Sequence, residues 1–342
     1  MVPYPELIVT TFLVCLAAQW AVLWLVRRPE WLAQVNERSS HAEPTPTMGG
    51  VVMIGVCLVW LIWAAWLSPE FRSLGAAWAF GVGLLAVVSL LDDLRGVSVY
   101  LRLTVQAISV LAVGWGLGLH ETWPLYLCFA AWLGALWLVN LYNFMDGIDG
   151  YAAVQCLAFC VGVQVLSLGV PGWAGSFLWV LSAACLVFLG FNWPPAKIFM
   201  GDVGSAPLGL LLAGLMVHLW VTDSVPLVAS LILLAGFWFD ATYTLYVRIR
   251  TGQRITEAHR LHLYQRLAEQ KGHLWTTLTL SIYFVAWLLP WAWLSMQFPT
   301  SIWGAALYIV PAVLPMLVLC IRYGAGLPAQ AVPSSTDQTF TE

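Results

Sequence analysis

Charge is what this chain lacks. Its 342 residues include 14 lysines and arginines and 17 aspartates and glutamates, 9% of the total, whereas 61% are hydrophobic. A soluble domain carries about a quarter charged residues. With a mean hydropathy of +0.83, the shortage excludes water-soluble, collagen-like and disordered chains and defines an integral membrane protein. The net charge of −3 gives no reason to expect a nucleic-acid partner. Cysteine pairing is missing too: the seven cysteines (15, 57, 128, 156, 160, 185 and 320) lie in apolar runs without a CxxC pair. They read as small core residues, neither a disulfide framework nor a metal site. There is no GxxxxGK[ST] loop and no internal repeat, which argues against the repeat-built secondary transporters.

What is present is a series of long apolar runs. About 20 apolar residues cross a hydrocarbon layer about 30 Å thick. Eleven stretches qualify, approximately 6–26, 48–67, 73–91, 101–119, 124–143, 151–169, 173–192, 207–222, 226–247, 275–294 and 301–321. The expectation is an all-α integral membrane protein with about 11 transmembrane helices in one domain, 1–324. A tail at 325–342, rich in Pro, Ser, Thr and Gln, is expected to be disordered. The first stretch lacks a basic start and a small-residue cleavage site, unlike a cleavable signal peptide. With Met1 outside, every lysine and arginine except Arg72 falls on the inside. That asymmetry predicts an outside N-terminus and a cytoplasmic C-terminus.

The acidic residues are sorted by the same assignment. Asp92 and Asp93 end the third stretch, Asp146 and Asp149 follow the fifth, and Asp202 precedes the eighth, all on the predicted inner face. Carboxylates at a membrane boundary are costly unless paired or bound to a cation, so five from three loops read as a metal and phosphate site. Asp149 or Asp202 could instead cap the following helix. Adjacent Asp92 and Asp93 repel, and either a divalent cation or a raised pKa in one of them would relieve this.

Three other segments carry polar groups at defined spacing. Asn140, Asn143 and Asp146 recur every third position and form one stripe if helical. Pro195 to Ser205 is a Gly-rich turn leading into a helix, a geometry suited to phosphate oxygens and a Mg²⁺ ligand. In the long inside loop, Arg248 to Leu274, His259 and His262 would share a helix face. Zinc is disfavoured because no third and fourth ligand is near. Anion binding explains both the histidines and the arginines, while contact with anionic lipid explains only the arginines. Asp240, inside the ninth stretch, is either a buried contact or part of the site. His120 and His218 lie near outer ends and receive no role.

These residues carry a family resemblance. Pro44-Thr45-Pro46-Thr47-Met48-Gly49-Gly50, Asp92-Asp93, the run from Asn140 to Gly150, Pro195 to Ser205 and His259-x-x-His262 resemble, in order, the motifs of the polyprenyl-phosphate N-acetylhexosamine-1-phosphate transferase superfamily. These integral membrane enzymes move a sugar-1-phosphate from a UDP-sugar to a polyprenyl phosphate. The resemblance implies eleven helices, Mg²⁺ (with Mn²⁺ as a substitute), partners consisting of polyprenyl phosphate, a UDP-sugar and membrane lipid, a homodimer, and a bacterial inner membrane location with a cytoplasmic active site. Arg95 and the spaced His259/His262 stand where peptidoglycan-precursor members have a lysine and three adjacent histidines. Together with the strings at 36–41 and 258–265, they make the chain more similar to the O-antigen and polysaccharide initiators, which use UDP-GlcNAc or a 6-deoxy relative such as UDP-FucNAc or UDP-QuiNAc.

The resemblance also implies roles. Asp202 is the main metal ligand, and Asp92 and Asp93 assist it or deprotonate the lipid phosphate. Asn140, Asn143, Asp146 and Asp149 orient the nucleotide diphosphate, Asp146 acting at the catalytic centre, while His259, Arg260 and His262 hold phosphate charge. Lys197 and Arg102 meet the lipid phosphate or merely anchor at the interface. His41 with Thr45 and Thr47 makes another substrate contact. Direct displacement and an aspartyl intermediate both remain open. The rivals are a secondary transporter, a phospho-MurNAc-pentapeptide transferase-type activity, and a CDP-alcohol transferase, whose Ala-Arg after Asp-Gly is missing here.

Overall fold

The computed structural model describes residues 4–25, 45–254, 257, 259–298 and 304–328. Fifteen α-helices follow one another: α1 (Tyr4–Leu25), α2 (Gly50–Leu67), α3 (Arg72–Arg95), α4 (Val99–Gly116), α5 (Leu119–Thr122), α6 (Leu125–Met145), α7 (Tyr151–Leu166), α8 (Gly172–Asn192), α9 (Asp202–Val221), α10 (Leu227–Leu233), α11 (Ala235–Arg250), α12 (Leu263–Lys271), α13 (His273–Tyr283), α14 (Leu289–Gln297) and α15 (Ala306–Arg322). A π turn, Phe284–Leu288, joins α13 to α14. Among the described residues, eight helices or continuous helical runs are long and apolar enough to cross a membrane, α10 with α11 forms a ninth, bent pair, and α7 and α15 are shorter apolar helices. The protein is thus an all-α integral membrane protein, and each of the eleven apolar stretches holds helix.

Hydrogen-bond satisfaction explains where the helices depart from straight spans. The stretch 226–247, expected as one helix, bends by 74° at Leu234. There the Phe237 N–H turns to the Leu234 carbonyl, and the Leu231 and Leu233 carbonyls accept from Trp238 Nε1 at 2.8 Å and Gln155 Nε2 at 2.9 Å. A break within a membrane is tolerated when side chains satisfy the freed backbone groups. In α15, Pro315 has no N–H for the Pro311 carbonyl, and Trp287 Nε1 donates to that oxygen instead.

α9 is the hub. Of its most apolar window 89% is buried, and it packs against α2, α3 and α6. The α2–α9 crossing is close because both helices present glycine: a Cβ on Gly50 would lie 2.3 Å from the Gly204 Cα. Ahead of α2, the Pro46 carbonyl accepts from Phe199 N–H, and the Gly49 and Gly50 N–H groups donate to the carbonyls of Phe199 and Met200. The Thr45–Gly50 motif is thereby zipped to the turn that starts α9.

The tail boundary needs correction. Ala325 is buried, and Gly326 N–H donates to the Leu261 carbonyl at 2.8 Å. Gln253 and Arg266 donate to the carbonyls of Gly326 and Leu327. Ordered chain therefore extends past 324, held by the loop before α12. The remainder of the expected tail, from 329, lies outside the described residues.

Candidate active site

The adjacent carboxylates of Asp92 and Asp93 resolve their repulsion by facing different partners. α3 ends at Gly96, and just beyond it the Val97 N–H donates to Asp92 Oδ1 at 2.6 Å. Asp92 Oδ2 pairs with Arg102 Nη1 of α4 at 2.7 Å. Asp93 turns to α9: its Oδ1 accepts from the Asp202 N–H and its Oδ2 from the Val203 N–H, both at 3.0 Å. A carboxylate there satisfies two orphan amides and meets the positive end of the helix dipole. Gly201, at φ 74°, makes room for it, since a Cβ would come 2.8 Å from Asp93 Oδ2.

Asp202 is more open than Asp92. Its side chain is 37% exposed, against 10% for Asp92. Asn143, in the last turn of α6, donates to Asp202 Oδ1 and to Ser205 Oγ, each at 2.9 Å. Arg102 Nη1 stands 3.8 Å from Asp202 Oδ2. Asp146 terminates α6. Burial first, then the carboxylates of Asp202, Asp93 and Asp149, push its carboxyl well above the ordinary carboxylate range. Three loops thus bring Asp92, Asp93, Asp146 and Asp202 together with Arg102 and Asn143.

Asp149 belongs to a different, buried junction. It is 4% exposed, its Oδ2 accepts from Ala196 N–H at 3.1 Å, and its Oδ1 lies 3.4 Å from His273 Nδ1. Its carbonyl accepts from Thr277 Oγ1. It neither caps α7, whose cap residue Gly150 offers no side chain, nor reaches solvent. The expected nucleotide contact gives way to a bolt between the α6–α7 turn, the 193–201 loop and α13. Asn192 works beside it, accepting from Gly150 N–H and donating to the Ile198 carbonyl, both at 2.8 Å. Asn140 likewise stays in the bundle, donating to Gln106 Oε1 and the Leu136 carbonyl. The expected stripe therefore splits, and only Asn143 and Asp146 meet the acidic cluster.

The histidine pair sits in a loop and not on a shared helix face. His262 is the N-cap of α12, residues 259–261 are non-helical, and the two rings still meet at 4.9 Å between centroids. His262 is buried, 3.7 Å from Asp240. Burial, with His262 and Arg248 adjoining, lowers the His259 pKa to about 3, so at neutral pH His259 is a neutral hydrogen-bonding group in the ligand-free protein. Asp240, left open by its sequence position, is a buried contact: its two oxygens accept from the Leu263 and Tyr264 N–H groups. Arg260 is half-buried, Lys197 is exposed, and Thr45 and Thr47 are half-buried in the segment zipped to Phe199. His41 lies outside the described residues.

Several residues that build the site carried weak signals. Gln106 sits one turn after Arg102 on an otherwise apolar helix, Ser205 closes the Gly201–Ser205 string, and Asn192 precedes Pro194-Pro195. Tyr264, whose hydroxyl donates to the Phe144 carbonyl at 2.9 Å, stood out only as a member of the 258–265 string and without a role, because that role depends on a contact between distant segments.

A helical membrane bundle with an acid-rich, arginine-paired cluster at one end defines an integral membrane enzyme. Residues 76–220 match the family described as glycosyl transferase family 4. The chain is 31% identical over 307 residues to the decaprenyl-phosphate N-acetylglucosaminephosphotransferase of Mycobacterium leprae (strain TN), covering 76% of this chain and 75% of that protein. It is 32% identical over 250 residues to the probable undecaprenyl-phosphate N-acetylglucosaminyl 1-phosphate transferase of Bacillus subtilis (strain 168), covering 68% of each. To the undecaprenyl-phosphate alpha-N-acetylglucosaminyl 1-phosphate transferase of Yersinia pestis it is 30% identical over 250 residues, covering 67% of each. The chain belongs to glycosyl transferase family 4, within the polyprenyl-phosphate hexosamine-1-phosphate transferase superfamily, and is a phosphotransferase of that family.

Proposed function

We propose that this enzyme transfers N-acetylglucosamine-1-phosphate, or a closely related N-acetylhexosamine-1-phosphate, from a UDP-sugar to polyprenyl phosphate. An oxygen of the lipid phosphate forms a bond to the β-phosphorus of the donor while the bridge to the α-phosphate breaks, releasing UMP. The names of the relatives support the acceptor and the sugar class. The observation that carries the reading is the half-open Asp202 carboxylate, held by Asn143 and faced by Arg102 at the mouth of the acidic cluster.

Two phosphorylated substrates meet only if their charge is neutralised. Among the described residues no three His, Cys, Asp or Glu side chains are already arranged around a metal position. Mg²⁺ is commonly held through one or two carboxylates together with substrate phosphates and water. Asp202, with an exposed edge and the carboxylates of Asp92 and Asp93 beside it, fits that donor set, and Mn²⁺ would suit it as well. When bound, the ion supplies charge neutralisation at the diphosphate. Arg102 and the exposed Lys197 attract the lipid phosphate. Burial, then the Asp202 carboxylate, raises Asp93 to about 7, and Asp146 is raised as well, so proton handling falls to these two carboxyls. Asn143 orients the donor, and His259 and Arg260 bind its diphosphate, while His262, expected to join them, is buried behind them at the start of α12.

The side on which the basic residues lie supports eleven spans with the N-terminus outside and this site on the cytoplasmic face. The place would be a bacterial inner membrane, and the step the first lipid-linked one in cell-envelope polysaccharide synthesis, as in O-antigen. Purified protein with Mg²⁺, polyprenyl phosphate and a panel of radiolabelled UDP-N-acetylhexosamines should release UMP and yield a lipid-linked sugar diphosphate. No turnover with any donor of the panel overturns the reading.

A further inference from the structure

Along α11, Asp240, Thr244 and Arg248 occupy positions i, i+4 and i+8, one face of a helix, and all three are buried, at 1%, 0% and 2% exposure. Polar side chains on a membrane helix are expensive unless bonded, and the bonds these make all concern the loop that carries the histidines. Asp240 Oδ1 accepts from the Leu263 N–H at 2.9 Å and from Thr244 Oγ1 at 3.1 Å, and Oδ2 accepts from the Tyr264 N–H at 3.1 Å. The first turn of α12 is therefore anchored on the carboxylate. At the other end of the stripe Arg248 Nη2 donates to the carbonyls of Arg254 and Glu257. Between the two, the Thr244 carbonyl and Val247 lie against Gly326, where a Cβ would approach to 2.8 and 2.7 Å, and Gly326 N–H in turn donates to the Leu261 carbonyl. The far side of α12 is tied to the acidic cluster, since Tyr264 donates to the Phe144 carbonyl next to Asn143 and packs on Gly147 next to Asp146.

We propose that Asp240 and Arg248 are positioning residues: an acid that takes amides and a guanidinium that takes carbonyls seat the His259–His262 loop against the Asn143–Asp146 turn. This rests on the reading that the histidine loop binds the diphosphate of the donor. The lipid phosphate, by contrast, is met by Arg102 and Lys197, which the stripe does not touch. Loosening the seat therefore weakens donor binding selectively.

The test is steady-state kinetics on detergent-solubilised full-length enzyme, varying UDP-GlcNAc and polyprenyl phosphate separately, for Asp240→Asn, Asp240→Ala, Arg248→Lys, His262→Ala and the double variant Asp240→Asn/His262→Ala. Asp240→Asn keeps one acceptor oxygen and the side-chain volume, and should raise the KM for UDP-GlcNAc about tenfold, the effect of losing one charge-assisted hydrogen bond, with the KM for polyprenyl phosphate unchanged. Arg248→Lys, retaining a donor, should shift the same constant by less. The double variant should be no worse than His262→Ala, because both changes act through one loop. A proportional loss of kcat with both KM values unchanged would mark Asp240 as a general stabiliser and overturn the proposal, as would additive effects in the double variant. If His262→Ala raises the donor KM and Asp240→Asn does not, the seat fails alone. If neither does, the assignment of the loop to the donor fails with it.

Discussion

Asp93 caps the helix that Asp202 begins: its two carboxylate oxygens receive the N–H groups of Asp202 and Val203 at 3.0 Å each. The end of α3 is thus bonded to the start of the most enclosed of the eight membrane-length helices among the described residues, and the residue that orders the site is separate from the residue that faces the opening. Substitutions at the two positions should accordingly differ in kind. Asp202→Asn should cut turnover by roughly 10²-fold or more with little change in melting temperature. Asp93→Ala should cost about 1–2 kcal/mol of stability, as loss of a helix cap does, along with activity. Thermal melts and turnover on the same preparations check this, and equal melting temperatures for the two variants would refute the division.

The Arg102–Asp92 pair gives a second expectation. Asp92 is largely covered, so Arg102→Ala leaves a carboxylate short of its cation, whereas Arg102→Lys keeps the charge and loses the fixed geometry of the guanidinium. Turnover at saturating lipid should fall in the alanine variant, and the KM for polyprenyl phosphate should rise in both. An unchanged KM in the alanine variant would remove Arg102 from the acceptor site.

Gly50 and Gly204 face each other where α2 crosses α9: a methyl on Gly50 would meet the Gly204 backbone, and one on Gly204 would come 2.8 Å from the Gly50 Cα and press on the Met200 side chain as well. Gly204→Ala should lower stability by about 1–3 kcal/mol through overpacking. It should also reduce turnover, because the same crossing holds the Thr45–Gly50 segment on Phe199 and Met200. A variant with wild-type melting temperature and activity would show that the helices separate there freely.

Asp149 should behave as a structural residue. Asp149→Asn removes the charge facing His273 and weakens the acceptor for Ala196 N–H. Melting temperature should drop while the KM for UDP-GlcNAc in the surviving folded enzyme stays within about twofold, well under the tenfold that one lost binding hydrogen bond produces. A selective rise in that KM would return Asp149 to the donor site.

The depressed pKa of His259 carries a sign. Its folded value is about 3, below the ordinary 6.5, so as pH falls through 6.5 the unfolded chain takes up a proton that the folded chain refuses until about pH 3. His259 therefore subtracts stability as pH falls across that window and has no such effect above it. Melting temperatures of the wild type and His259→Gln should run parallel above pH 7 and converge or cross as pH is lowered towards 4.5, with the variant losing less. Parallel curves throughout would contradict the depressed value.

The eleven apolar stretches and the sorting of charge were legible because hydropathy and the cost of a bare carboxylate in lipid are properties of single residues and short windows. Asn143 and Asp202 could be placed together for the same reason: each ends or begins an apolar run on one face. What spacing could not reveal is the partner. Asn140 and Asn143 are three residues apart, yet one bonds Gln106 inside the bundle and the other Asp202 at its mouth. Asp149 looked like Asp146 in sequence and proved to be buried behind it.

By itself the sequence determined that the chain lies in a membrane, which runs become helix, and which acids, arginines and histidines are too costly there to be idle, since these follow from local composition. Only the tertiary structure decided which of them face an opening and which hold the fold: Asp202 open but Asp149 enclosed, Asp93 on the amides of α9, Asp240 on those of α12. Those assignments depend on contacts between segments tens of residues apart, where the geometry of helix packing, and not the spacing of residues along the chain, brings donor to acceptor.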